Sequence, residues 1–238
     1  MKVPHILDRI SETSEMSVVP EKKFSDALRD RRATQSFDST PIPDADLKQI
    51  LQAGLEAPSG YNIQPWRFVV VRDPDQRKKL SAAAFGQPKV AEAPVVIVAC
   101  GDPQAWKNGD LDLMLKMAAE HGYGGPAEHE GARKAVTGYL GNPPGNAGGI
   151  GPDIGVWANR HTMIAFTTMM WAAETMGYDT APMEGFLEDK VKEVLGIPAS
   201  VRVVALLAVG KRKGDKKPYG GRFPMDRTVF GDTWGKKL

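Results

Sequence analysis

The stretch from Asp153 to Met176 limits what this chain can fold into. Its spacing predicts one long helix carrying Ile154, Val156, Trp157, Met163, Ile164, Ala165, Phe166, Met169, Met170, Trp171, Ala172, Ala173 and Met176. Those residues fall on nearly every side, and a helix that is apolar all round must be covered all round. The segment is therefore expected at the centre of a domain or in a subunit interface. Its methionines read as packing rather than as metal ligands, and Gly177 supplies the stop.

The cover is expected from strands and further helices. Arg67 to Arg72, Val95 to Cys100 and Val201 to Val209 are runs of β-formers, and the last is long and apolar enough for the middle of a sheet. Helical spacing appears over Glu21 to Arg31 (Phe24, Ala27 and Leu28 on one face), and after Pro43 (Leu47, Ile50, Leu51, Gly54, Leu55). It recurs from Asp73 to about Ala84, at Leu111, Met114, Leu115 and Ala118, at Ala132, Ala135, Val136, Tyr139 and Leu140, and at Leu187, Val191, Val194 and Leu195. Residues 1–20 have weak periodicity and read as an N-terminal arm to a domain spanning 21–238.

With 238 residues, 42% hydrophobic and 25% charged, the chain can bury a core. A net charge of +2 makes no case for nucleic acid or a membrane surface. The basic run Lys211-Arg212-Lys213-Gly214-Asp215-Lys216-Lys217 is short and lacks interleaved aromatics. Cys100 is the single cysteine, which excludes an internal disulfide, and its apolar approach marks it as a core thiol. The first residues lack a signal-peptide pattern and no run approaches a membrane span, so a cytoplasmic location is expected.

Several polar stretches stand out. The loop Ala57-Pro58-Ser59-Gly60-Tyr61-Asn62-Ile63-Gln64-Pro65-Trp66 joins a helix to a strand, and its prolines stiffen it. It can be a connector or a rigid presenter of binding groups. Arg31-Arg32 at a helix end can cap carbonyls or clamp a phosphate with guanidinium forks. Tyr178 to Phe186 reads as a turn before a helix, with free backbone N–H groups. Residues 101–152 are rich in Gly and Pro and hold Trp106, His121, Tyr123, His129 and Tyr139. They carry neither a Rossmann fingerprint nor a P-loop, and the two histidines lack further zinc ligands at useful spacing.

Taken together, these motifs resemble the FMN-dependent nitroreductase family, over about Phe24 to Phe230. The matching stretches are Arg31-Arg32-Ala33-Thr34-Gln35-Ser36-Phe37, Pro58-Ser59-Gly60-Tyr61-Asn62-Ile63-Gln64-Pro65-Trp66, Gln87 to Pro94, Pro182-Met183-Glu184-Gly185-Phe186 and Gly221-Arg222-Phe223-Pro224. The resemblance implies an α+β fold, a mostly antiparallel sheet wrapped by helices, in an interlocked homodimer. It implies FMN held by Arg31, Arg32, Ala33, Gln35, Pro58, Ser59, Gly60, Asn62, Pro182, Met183, Glu184, Gly185 and Arg222. Lys216 or Lys217 could stand in for a lysine the family has where this chain has Gly220.

The resemblance places the Glu184 N–H at flavin N5, and the Pro58 to Asn62 loop at the partner's flavin. Residues 101–152 would form a variable lid. Lys89 could approach the ring, although an exposed lysine is the simpler reading. Ala33 replaces a usual serine and Gln35 a usual cation, which implies a lower flavin potential. The implied activity is ping-pong transfer of hydride from NADH or NADPH through flavin N5 to a nitroaromatic, quinone or enone. No side chain stands out as a catalytic acid or base. Reductive dehalogenation, flavin breakdown and non-catalytic flavin storage remain open on the same motifs.

Overall fold

The computed structural model describes residues 22–142 and 151–238. The expected N-terminal arm, the start of the first helix and the Gly/Pro segment from Pro143 to Ile150 lie outside the described residues.

Four strands form one sheet in the order β1-β2-β4-β3, with every neighbour antiparallel. They are β1 (Trp66–Val71), β2 (Val95–Gly101), β3 (Asp179–Met183) and β4 (Arg202–Gly210). All seven residues of β2 are buried, and β4 is buried from Ala205 onward. Their continuous apolar runs suit interior strands covered on both faces. The expected central place of Val201 to Val209 is met by β4.

Side chains alternate across each strand, so the sheet has two apolar faces. Val96, Val98, Cys100, Leu206 and Ala208 pack with Leu80, Ala83, Val90 and Val191. The last four come from α3 (Pro74–Ala83), α4 (Pro88–Glu92) and α8 (Glu188–Leu195). Val95, Ile97, Ala99, Leu207 and Val209 face the other way, onto Leu47, Ile50, Phe166, Met169 and Met170. Those side chains belong to α2 (Asp44–Leu55) and α7 (Ile154–Thr175). At Gly54 the α2 backbone lies against Met169, and an added Cβ would overlap that side chain. Shorter helices are α1 (Phe24–Asp30), α5 (Asp110–Glu120), α6 (Pro126–Leu140) and α9 (Met225–Thr228).

Within the single chain the long helix is not covered on every side. Trp157, Ala165, Phe166, Met169 and Ala173 are buried, but Val156 and Ile164 are 44% and 41% exposed. It therefore caps the sheet with an apolar stripe left open. Among the described residues, no helix is long and apolar enough to cross a membrane.

Tyr178 to Met183 is not a turn. Asp179–Met183 pairs with β4 from Asp179↔Gly210 to Met183↔Leu206. Pro182 hid it, since proline weakens a strand reading. As the sheet's edge, β3 tolerates a residue with no N–H to give. Thr34 N–H donates to the Thr180 carbonyl at 3.0 Å and covers part of that edge. The stretch after Gln87 forms the short helix α4, with Pro88 in its first turn.

Candidate functional site

The segment after α1 runs beside β3 and builds a cationic cradle. Arg31 caps α1, its N–H bonded to the Ala27 carbonyl. Thr34 N–H is spent on β3, whereas the N–H groups of Ala33 and Gln35 on either side make no hydrogen bond among the described residues. Arg32 to Ser36, Arg212, Lys213, Lys216 and Lys217 line a cavity of about 70 Å³. Asp179 there is paired with Arg212 at 3.2 Å, and Lys216 lies 3.9 Å from Asp30.

Among the described residues, Nε of Arg32, which lines the cavity, and one terminal nitrogen of its chain neighbour Arg31, which does not, are buried without a partner. A buried guanidinium nitrogen left unpaired costs stability unless something fills its place. Arg31 stacks on Trp171 at 5.8 Å, and Arg32 on Tyr219 at 4.6 Å. Arg222 stands over the same Tyr219 ring at 5.7 Å, so the tail brings it near Arg32. Tyr219 was missed in the sequence; an aromatic between cations was its signal. Lys89 is half-buried rather than exposed. Burial holds its ammonium below the usual lysine range, and nearby Lys217 adds to the effect.

The donor set fits a phosphate: guanidinium forks, ammonium groups, backbone N–H groups and the orphaned Arg32 Nε around a space of phosphate size. A three-ring flavin does not fit in that space. Its ring would have to lie beyond the cradle.

Past β3 the chain turns at Glu184 and Gly185, both exposed. Their N–H groups make no hydrogen bond among the described residues. These donors stand at a strand end rather than at the expected turn before a helix. Gln87 Nε2 donates to the Gly185 carbonyl at 2.8 Å. A Cβ on Gly185 would meet only that amide nitrogen, at 3.4 Å, so no crowding within the chain demands glycine here. Pro182 is half-buried in β3 and the Met183 side chain is in the core. Only the backbone of Met183 remains available to a ligand.

The Pro58 to Gln64 loop is strained and tightly tied. Tyr61, Asn62 and Gln64 have φ of 55°, 55° and 52°. Such left-handed non-glycine residues cost on the order of 1 kcal/mol each and tend to gather at functional sites. Ser59 Oγ accepts from Gln64 N–H at 2.9 Å, so its oxygen is partly committed to the loop itself. Gly60 presses against α7, where an added Cβ would come within 3.2 Å of His161 Nε2.

This loop opens on a different cavity, of about 570 Å³, between Tyr61, Asn62 and Gln64 on one side and α5 and α6 on the other. Met114, Leu115, Met117, Ala118, Ala132 and Val136 make its apolar wall, with Glu128 beside them. His121, Tyr123 and His129 line it, whereas Trp106 is in the core and Tyr139 packs against that core. The cavity shares no lining residue with the cradle. Among the described residues, no group of His, Cys, Asp and Glu is placed to hold a metal. Cys100 is buried, and burial pushes its thiol up to about 11, out of nucleophile range.

A sheet wrapped by helices, a phosphate cradle and a stiff loop beside an apolar cavity agree with what the chain resembles. The profile of the Nitroreductase family matches residues 28–142 and 146–211. A Thermus thermophilus protein named NADH dehydrogenase is 33% identical over 200 residues, 84% of this chain and 91% of that one. MhqN of Bacillus subtilis, assigned as an NAD(P)H nitroreductase, is 30% identical over 210 residues, 87% of this chain and 98% of that one. An Exiguobacterium sibiricum protein assigned as a nitroreductase, solved in complex with FMN, superposes with a TM-score of 0.79 at 25% identity, covering 90% of this chain and 99% of that one. The chain belongs to the nitroreductase family, a family of oxidoreductases.

Proposed function

We propose that the protein is an FMN-dependent oxidoreductase that takes electrons from NADH or NADPH and passes them to a small apolar acceptor. The observation that carries this reading is the buried, unpartnered Nε of Arg32 on a phosphate-sized cavity, with a second such nitrogen on its chain neighbour Arg31. The FMN-bound relative supports the choice of ligand.

When bound, FMN supplies the redox chemistry, accepting hydride at N5 and releasing electrons to the acceptor. The chain supplies position. Arg31, Arg32 and Arg222 hold the phosphate, with Lys216 and Lys217 adding charge. The Ala33 and Gln35 N–H groups would complete the cradle, and the Glu184 and Gly185 N–H groups would be donors to the ring. No side chain is assigned as a proton donor.

The cradle and the Pro58 to Asn62 loop belong to separate cavities of one chain, which supports a homodimer in which each loop reaches the partner's flavin. Phe24, Leu28, Val156 and Ile164, all more than 40% exposed, and the open tail with Phe223, Met225 and Trp234 give such a dimer apolar surface to bury. The apolar cavity of α5 and α6 then serves as the acceptor pocket. Its methionine and leucine wall favours a quinone, nitroaromatic or enone over a charged metabolite.

Steady-state kinetics with NADH and NADPH against a benzoquinone, a nitroarene and an enone test the reading. Parallel double-reciprocal lines with at least one acceptor are expected. Oxidation of neither nicotinamide with any acceptor, in protein loaded with FMN, would overturn it.

A further inference from the structure

Beneath the cradle lies a buried acid that the chemistry proposed above does not use. Glu174, in the last turn of α7, is 3% exposed. Its Oε1 accepts from Thr180 Oγ1 at 2.6 Å. Thr180 is fully buried, and its carbonyl holds the Thr34 N–H. One turn earlier on α7, Trp171 carries the Arg31 guanidinium, whose buried nitrogen has no partner. One helix end therefore touches both the strand that shapes the cradle and the arginine that charges it.

We infer that Glu174 is a positioning residue for the cofactor phosphate: it fixes Thr180 and the Ala33 to Gln35 backbone, and its protonation state sets how strongly the cradle binds an anion. This rests on the FMN reading above and adds to it a proton-linked control of affinity.

The charged groups around Glu174 come from each neighbouring element. Arg31 and Lys22 approach from the two ends of α1, and Asp179 from β3. Lys211, just past β4, is in the field of Asp179 and Lys22. Burial pushes the Glu174 carboxyl up to about 7; the Thr180 hydrogen bond opposes this, Asp179 adds to it, and Arg31 and Lys22 oppose it. A phosphate on Arg31 brings more negative charge near the carboxyl and so favours the protonated acid. By linkage, affinity is then highest with Glu174 neutral and falls as pH rises through its titration.

The test is flavin-fluorescence titration of the full chain, freed of any bound flavin, with FMN from about pH 6 to about pH 8.5, a span that brackets the raised carboxyl. Relative to Glu174→Gln, wild-type affinity should fall by roughly three- to tenfold on rising through pH 7, the worth of half to one pKa unit. The amide keeps an acceptor for Thr180 but cannot titrate. Its profile should follow only the phosphate's own ionisation, near pH 6. Riboflavin, which lacks the phosphate, should show no such difference between the two proteins.

Identical FMN profiles for wild type and Glu174→Gln would overturn the inference while leaving FMN binding intact. A wild-type chain that takes up no FMN would overturn the FMN reading and this inference with it. If Glu174→Gln does not fold, Thr180→Val decides. Losing that hydrogen bond should move the midpoint of the wild-type profile to higher pH, and an unmoved midpoint would contradict the assignment.

Discussion

The Gln87 side-chain amide donates to the Gly185 carbonyl oxygen at 2.8 Å. Gln87 is itself held, because its own carbonyl accepts from Ser81 Oγ at 2.9 Å at the end of α3. The exposed turn after β3 is thereby pinned to a rigid helix, with the Glu184 and Gly185 N–H groups left free. Gln87→Ala should loosen those donors without touching the cradle. Stopped-flow reduction by NADH or NADPH should slow about tenfold, the worth of one hydrogen bond of about 1.4 kcal/mol, at an unchanged FMN affinity. Equal loss of FMN affinity would point to a collapsed site instead.

Arg32 and Arg222 both rest on Tyr219. A charge-assisted contact to phosphate is worth about 1.5–3 kcal/mol, so Arg32→Ala should weaken FMN binding by about ten- to a hundredfold. Tyr219→Leu should weaken it less, by loosening two guanidiniums rather than removing one. Fluorescence titration measures both, with riboflavin as the control that should be nearly insensitive.

Gln35 is exposed, and its amide donates to the Ala33 carbonyl at 3.0 Å. A cation there would favour an anionic reduced flavin. Gln35→Arg is expected to raise the midpoint potential by tens of millivolts, on the order of 1 kcal/mol for a two-electron couple. An unchanged potential in a dye-coupled redox titration would remove Gln35 from the ring's surroundings.

Much of this was legible in the sequence. β2 and β4 are continuous apolar runs, and α2 keeps its stripe of Leu47 and Ile50. β3 was not legible, because Asp179, Thr180 and Pro182 carry no β pattern and the strand exists only against β4 and the Thr34 segment. The open stripe at Val156 and Ile164 was hidden for a related reason: periodicity reports that a side chain is apolar, not what covers it. The motifs pointed to Arg32 and Arg222 separately, but their shared ring is a tertiary fact. Glu174 gave no local signal, since its partner Thr180 lies on another element.

Glu188 carries an acid-sensitive part of the stability. Burial alone would raise its carboxyl, but hydrogen bonds from Arg202 and the Val203 N–H, with Lys192 beside them, bring it down to about 2 from 4.5. A depressed folded pKa contributes stability above the unfolded value and loses it as pH falls through the folded one. Glu188→Gln should therefore be less stable than wild type at neutral pH, with the gap closing between pH 4.5 and about 2. Urea midpoints across that window measure it; a gap independent of pH would mean that Glu188 acts by shape alone.

The most direct test of the account is an anaerobic visible spectrum of the purified protein, loaded with FMN and treated with NADH or NADPH and then with a quinone. The account predicts a flavin spectrum that one donor bleaches and the quinone restores. A chain that takes up no FMN, or bound flavin that neither donor bleaches, would contradict it.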